Sequence, residues 1–244
     1  MTQELADVVT VAPDRRARSR PMIWARSNWV PLVLVLISLL YGGAITVLHD
    51  DTASPIDELV YIDYTYKTFS QGMVFEGEQF GPDVTQFVAC EGVFPFGTLV
   101  QEFGLTRIEY DSLPNGGLTT GAPYTPVYFW ITRVVGDAIQ FVSGLSTVTS
   151  WRLTGPIWLA LGMFLFSRLL AKWKVSKSTT FTMGLLFIAS PFAWWSFTYL
   201  STDVTAFVFG AAMLLLATGV ARHERSPWWF VPLVFVAALF KITN

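Results

Sequence analysis

The sequence predicts an all-α, polytopic membrane protein with about four or five transmembrane helices. Hydrophobic residues make up 52% of its 244 residues and charged residues only 14%, whereas soluble domains carry about 25% charged residues. The hydrophobic residues are gathered in runs long enough to cross a bilayer. Aromatic residues reach 16%, with ten tryptophans, which fits aromatic belts at two membrane interfaces.

The first predicted span is residues 29–48, a run of twenty residues without a charge. About 20 apolar residues are needed to cross a hydrocarbon core. Residues 1–28 form a basic tail, so the positive-inside rule predicts a cytoplasmic N-terminus in a plasma-membrane protein. A cleaved signal peptide is the alternative, since residues 42–44 are small, but the run is long for one and more spans follow. The basic residues of the tail are Arg15, Arg16, Arg18, Arg20 and Arg26.

Residues 151–244 are predicted to form the second to fifth spans. The second to fourth lie near residues 153–170, 180–200 and 204–221, and the fifth begins at Trp228. The sequence stops while this last run is still crossing, so we expect the chain to be the front part of a longer bundle. Basic clusters follow the second and fourth spans and would lie on the same side as the tail. They are Arg168, Lys172, Lys174 and Lys177, and then Arg222 and Arg225.

Residues 49–150 are predicted to be an extracytoplasmic loop that contains short amphipathic helices. Residues 49–121 hold twelve acids but only two bases, a net charge of −10. Residues 122–141 are apolar apart from Arg133 and Asp137, which lie four residues apart on one helical face and can pair. A membrane crossing here would put the later basic clusters outside. We therefore predict an interfacial or re-entrant helix on the outer face.

The sequence Ser54-Pro55-Ile56-Asp57 predicts the start of a helix that runs to about Phe69. Ser54 would be the N-cap and Pro55 the first helical residue, with Asp57 near the positive end of the helix dipole. Asp57 therefore has two interpretations, a capping acid or a functional one. Capping does not explain the neighbouring Glu58. Tyrosines on the face of Asp57 would suit a sugar ring or a membrane interface equally well.

Asp203 lies in the short turn between the third and fourth predicted spans, on the outer side. It is either the N-cap of the fourth span or an acid that faces Asp57 and Glu58 across a cleft. Facing carboxylates can bind Mg²⁺ or Mn²⁺ through oxygen, or hold a proton for general-base catalysis. Asp57 and Asp203 are therefore the predicted metal ligands.

Three outer-side arginines could hold a phosphate group: Arg107, Arg133 and Arg152. Arg152 is the best placed, at the start of the second span. Its alternative interpretation is an arginine whose stem lies in the bilayer edge while its charged head reaches water.

Several classes of site are excluded or disfavoured. Cys90 is the single cysteine and there are only two histidines, so a disulfide framework and a histidine-rich metal centre are excluded. No phosphate-binding glycine loop and no nucleophile triad motif is present. The basic runs are short and predicted to be cytoplasmic, which disfavours nucleic-acid binding.

Taken in order, these motifs resemble the N-terminal part of GT-C-type polytopic glycosyltransferases, the class of the protein O-mannosyltransferases and aminoarabinose transferases. The resemblance covers most of residues 29–244, but each motif is short. The approach motif departs from the family, whose prolines are usually consecutive and often follow a histidine. The matching segments are Asp57-Glu58 in the first outer loop, Ala122-Pro123-Tyr124-Thr125-Pro126-Val127-Tyr128, Ser190-Pro191, Ser201-Thr202-Asp203, and Phe240-Lys241-Ile242-Thr243.

The resemblance implies transfer of a sugar from a polyprenyl-phosphate-linked donor to an extracytoplasmic acceptor of the cell envelope, which could be a glycan, a lipid or a protein. It implies Asp57 as the catalytic candidate, serving as a base or binding the acceptor, Glu58 as its neighbour and Asp203 as the second-loop acid that assists with metal or acceptor. The alternative is a non-catalytic membrane assembly or binding protein on the same scaffold. A transporter is disfavoured, because the first, third and fourth spans lack ionisable residues at mid-bilayer.

Overall fold

The computed structural model describes residues 28–49, 51–55, 57–93, 113–120 and 124–241. Within these ranges the chain is helical, with isolated β-bridges but no strand. The predicted all-α class is therefore confirmed. The helices are α1 Trp29–Leu48, α2 Glu58–Lys67, α3 Pro82–Glu91, α4 Pro126–Ser143, α5 Thr147–Arg152, α6 Thr154–Lys172, α7 Lys177–Ile188, α8 Pro191–Thr198, α9 Val204–Ala221 and α10 Phe230–Phe240, with 3-10 turns at Pro114–Gly117 and Pro227–Trp229.

Three stretches are long and apolar enough to cross a membrane: α1, the stretch Thr147–Lys172 that combines α5 and α6, and α9. The bent pair of α7 and α8 would make a fourth. Helices α1 and α9 have the same bounds as the predicted spans at residues 29–48 and 204–221. The run from Pro227 to Phe240 is apolar but shorter.

The third predicted span is not one straight helix. Helix α7 ends at Ile188, α8 begins at Pro191, and the two axes differ by 62°. Pro191 has no backbone N–H, and its ring would collide with the preceding helical turn. Ser190 stabilises the new start, because its hydroxyl accepts the backbone N–H of Ala193 at 3.1 Å. The predicted span at residues 180–200 therefore corresponds to a bent pair of helices that passes the length and composition test only as a pair.

Three helix ends meet at one end of the bundle, which we call the basic end. Arg168, near the end of α6, donates to the Asn28 side chain before α1 at 2.8 Å. Lys172 pairs with Glu224, which follows α9. At the opposite end, which we call the loop end, His49 after α1 lies 3.2 Å from the carbonyl oxygen of Thr198.

Helix α4 is not among the stretches that are long and apolar enough to cross a membrane. The residues on either side of the predicted loop meet at the loop end, where Arg152 donates to the Asp51 carbonyl. The amphipathic prediction for α4 is supported by its two faces, since Tyr128, Phe129, Thr132 and Gly136 are buried. Its position at a membrane interface stays a prediction. An apolar stripe is exposed on the other face: Trp130, Ile131, Val134, Phe141 and Val142.

Candidate functional site

The start of α2 differs from its prediction. The helix begins at Glu58, and Asp57 occupies the N-cap position with φ of 60° and without a side-chain capping bond. Ser54 is therefore not the cap. Its backbone N–H donates to Glu58 Oε2 at 2.6 Å instead. A buried carboxylate must be given donors, and Ser54 supplies one of them.

Glu58 is fully buried and is surrounded by donors. Its Oε1 accepts the Leu200 backbone N–H at 2.8 Å. Arg152 donates to both oxygens, from Nε to Oε1 at 2.8 Å and from Nη2 to Oε2 at 3.0 Å. The two-point geometry is the strongest form of carboxylate–guanidinium contact. Glu58 thus links α2, the end of α5 and the turn before α9.

Arg152 is only 1% exposed, so the interpretation as an arginine reaching out to water is wrong. Besides Glu58, its Nη2 donates to the Thr52 carbonyl at 2.8 Å and its Nη1 to the Asp51 carbonyl at 3.4 Å. The Tyr199 ring lies 5.2 Å from the guanidinium. A phosphate could reach Arg152 only if this network opened. Its predicted phosphate contact therefore gains no support from the geometry.

Arg133 is also engaged by protein groups. Its predicted pairing with Asp137 is confirmed at 3.4 Å. Its Nη1 donates to the carbonyls of Thr65 and Tyr66, at 3.1 and 2.7 Å, near the C-terminus of α2. A cation there satisfies carbonyls that the helix leaves unpaired. Arg107 lies outside the described residues.

Asp57 and Asp203 are both exposed. Asp203 occupies the N-cap position of α9 without a side-chain capping bond. It pairs instead with Lys241, at 2.6 Å between Oδ1 and Nζ. Lys241 was missed as a site residue. The sequence could have indicated Lys241, because it is the only charged residue in the last apolar run, residues 227–244.

Tyrosine hydroxyls connect these regions in what we call the tyrosine cluster: Tyr61, Tyr124, Thr202, Asp203 and Lys241. Thr202 donates to the Tyr61 hydroxyl at 3.4 Å, and Tyr61 donates to the Tyr124 hydroxyl at 3.0 Å. Lys241 Nζ lies 5.7 Å from the centre of the Tyr124 ring. The cluster therefore joins α2, the segment before α4, the turn before α9 and the end of α10.

Asp57 borders the same cluster. The Tyr61 backbone N–H donates to the Asp57 carbonyl at 3.2 Å, which places the two residues one helical turn apart. Burial is the main cause that raises the pKa of Tyr61; the hydrogen bond from Thr202 lowers it, and Tyr124 and the negative charge of Asp57 raise it. The Tyr61 hydroxyl therefore stays protonated, and its proton is donated to Tyr124.

The predicted divalent metal does not fit these residues. In the described ranges, no group of three or more His, Cys, Asp or Glu side chains could hold a metal ion. The Asp203 carboxylate already carries the ammonium of Lys241, which neutralises the charge that would attract a cation. Mg²⁺ requires an octahedron of oxygens and Ca²⁺ six to eight.

The described arrangement offers three chemical groups around the tyrosine cluster. Asp57, one helical turn before Tyr61, supplies an exposed carboxylate, Tyr124 supplies a partly exposed ring and hydroxyl, and Lys241 supplies a cation. This set suits a polar ligand with a hydroxyl and an anionic group. Comparison with known proteins finds no matching family model, no matching curated protein and no matching solved structure.

Proposed function

We propose that the chain takes part in transferring a sugar from a polyprenyl-phosphate-linked donor to an extracytoplasmic acceptor, with the tyrosine cluster as the reacting site. One observation carries the proposal. Asp57 lies one helical turn before Tyr61, whose hydroxyl bonds to Thr202, and the next residue, Asp203, pairs with the cation of Lys241. The order of motifs along the chain, which resembles GT-C-type transferases, supplies the reaction class.

In the proposed reaction, Asp57 accepts the proton of the acceptor hydroxyl. The acceptor oxygen then forms a bond to the anomeric carbon of the sugar. The bond between that carbon and the phosphate oxygen breaks, and the polyprenyl phosphate leaves with the electron pair. Lys241, which pairs with Asp203, is the cation of the cluster and stabilises the negative charge that develops on the phosphate.

The test is sugar transfer by the full chain in membranes, using radiolabelled polyprenyl-phosphate sugars and the endogenous acceptor fraction. Asp57→Asn should lower the transfer rate by about 10²–10⁴-fold, which is the usual contribution of a general base. Asparagine tolerates the left-handed conformation of residue 57 better than most residues, so the fold should be kept. Glu76→Gln is the matched control, because Glu76 is an exposed acid of the same loop and should leave transfer unchanged.

Wild-type transfer by a folded Asp57→Asn variant would remove Asp57 from the reaction. Lys241→Gln provides an independent arm: it should raise the donor concentration needed for half-maximal rate, because the phosphate loses its cation. If both variants behave like Glu76→Gln, the cluster is not the transfer site.

A non-catalytic assembly or binding protein is the second candidate. It is favoured by the use of Glu58 and Arg152 for structure and by the neutralisation of Asp203 by Lys241. This candidate expects the wild-type chain to retain a polyprenyl phosphate without any transfer. Binding that depends on Lys241 but not on Asp57 would select it over the transferase.

A further inference from the structure

The basic end contains a cavity of about 540 Å³ between α6 and α9. Its apolar wall includes Leu165, Leu215 and Leu216. The cationic side chains of Arg168, Lys172 and Arg225 complete the lining. The tyrosine cluster takes no part in this cavity. A hollow that is apolar on one side and positive on the other suits an amphiphile with an anionic head.

Two neighbouring hollows extend the apolar wall. One of about 350 Å³ shares Arg168 and Leu215 with the cavity and reaches Pro31 of α1. The other, of about 280 Å³, shares Arg225 and reaches Trp229 before α10. We call the three together the basic groove. The central cavity shares Arg168 with one hollow and Arg225 with the other. An apolar chain bound next to these cations therefore has room to extend towards α1 or towards α10.

Positive charge exceeds negative charge in the groove. Lys172 is balanced by Glu224, whereas Arg168 donates to the neutral amide of Asn28. Arg225 forms no ion pair within the described part of the chain. Its stem packs on Gly219, where an added Cβ would lie 3.1 Å from Arg225 Cγ and 3.9 Å from Lys172 Nζ. The absence of a side chain at Gly219 thus lets the two cations converge.

We propose that the basic groove binds the phosphate headgroup of an anionic phospholipid, with an acyl chain on the leucine wall. Basic pockets between transmembrane helices recognise anionic headgroups in this way, and guanidinium forks match phosphate oxygens. A soluble phosphate has the same head chemistry but would leave the apolar wall uncovered. This inference uses none of the residues assigned to sugar transfer and stands independently of that proposal.

The test is binding of phosphatidylglycerol, phosphatidylcholine and glycerol phosphate to the purified full chain in detergent, followed by native mass spectrometry. Arg168→Gln/Arg225→Gln should bind phosphatidylglycerol at least about tenfold more weakly, because two charge-assisted contacts to the phosphate are lost. Lys174→Gln/Lys177→Gln removes the same charge from bases at the same end that do not line the cavity. This control should bind like the wild type.

A second variant keeps the test valid if the double arginine variant fails to fold. Ala212→Phe places a ring in the cavity and should weaken phosphatidylglycerol binding while leaving every cation in place. Equal binding of phosphatidylcholine would overturn the headgroup assignment, as would an equal loss in the Lys174→Gln/Lys177→Gln control. Competition by glycerol phosphate at the same concentration as the lipid would also overturn it, in favour of a soluble phosphate ligand.

Discussion

Glu58→Gln is expected to destabilise the folded chain by about 3–5 kcal/mol, the usual cost of removing one partner from a buried ion pair. Glu58 and Arg152 have no exposed side-chain surface. Without the carboxylate, the Arg152 charge would remain buried and uncompensated. The variant would also weaken the acceptors offered to the backbone N–H groups of Ser54 and Leu200. The measurement is the free energy of unfolding in detergent, from denaturant titration followed by tryptophan fluorescence.

A double-mutant cycle separates the pair from its surroundings. Glu58→Gln/Arg152→Gln should lose less stability than the sum of the single changes, since neither charge is then left alone. Glu224→Gln is the matched control, because it removes the acid of an exposed ion pair with Lys172, and its unfolding transition should not move measurably. If Glu58→Gln lowers the free energy of unfolding no more than Glu224→Gln does, the buried pair does not stabilise the loop end.

This expectation also separates the neighbouring acids by function. Asp57 is exposed and Glu58 is fully buried, although they are adjacent. A loss of sugar transfer in Glu58→Gln should therefore accompany a loss of folded protein. The same loss in Asp57→Asn should occur in a chain that remains folded. Measuring both quantities on both variants assigns the structural role and the chemical role to different residues.

Hydropathy was sufficient to predict the long helices. The bounds of α1 and α9 match the predictions because an uncharged apolar run of about 20 residues has few alternatives to a single helix. The break at Pro191 was harder to predict, since hydropathy measures the polarity of a segment and not its direction. Ser190 and Pro191 were visible in the sequence, yet only the 62° bend shows that they begin a new helix.

The pairing of charges was beyond the sequence. Glu58 and Arg152 are 94 residues apart, and a single sequence gives each residue its charge but not its burial or its partner. Both were therefore predicted to be functional, on the ground that capping did not explain Glu58 and that Arg152 lay near the membrane surface. Asp203 and Lys241 are 38 residues apart, so their pairing could not be predicted from the sequence either. Only the partner of Arg133, four residues away on one helical face, followed from local spacing.

Gly155→Ala is the second change expected to have a large effect, a destabilisation of about 1–3 kcal/mol from overpacking. A Cβ atom on Gly155 would lie 2.2 Å from the carbonyl oxygen of Phe197 and 2.8 Å from its carbonyl carbon. The obstacle is backbone, and the Phe197 side chain is itself 0% exposed, so a rotamer change cannot relieve the contact. Helix α6 and α8 would have to separate. The measurement is again the free energy of unfolding in detergent.

Gly210→Ala provides the matched control, because the same methyl group at Gly210 of α9 would meet no atom within 4 Å. Alanine is favoured over glycine in helices by about 1 kcal/mol, so this variant should be as stable as the wild type or more so. The Gly155 contact is also linked to the buried ion pair. Phe197 lies three residues before Leu200, and the Leu200 backbone N–H donates to Glu58. Displacing Phe197 should weaken that bond, and Gly155→Ala/Glu58→Gln should therefore lose less than the sum of its parts. Strict additivity would show that the glycine contact and the ion pair stabilise the loop end independently.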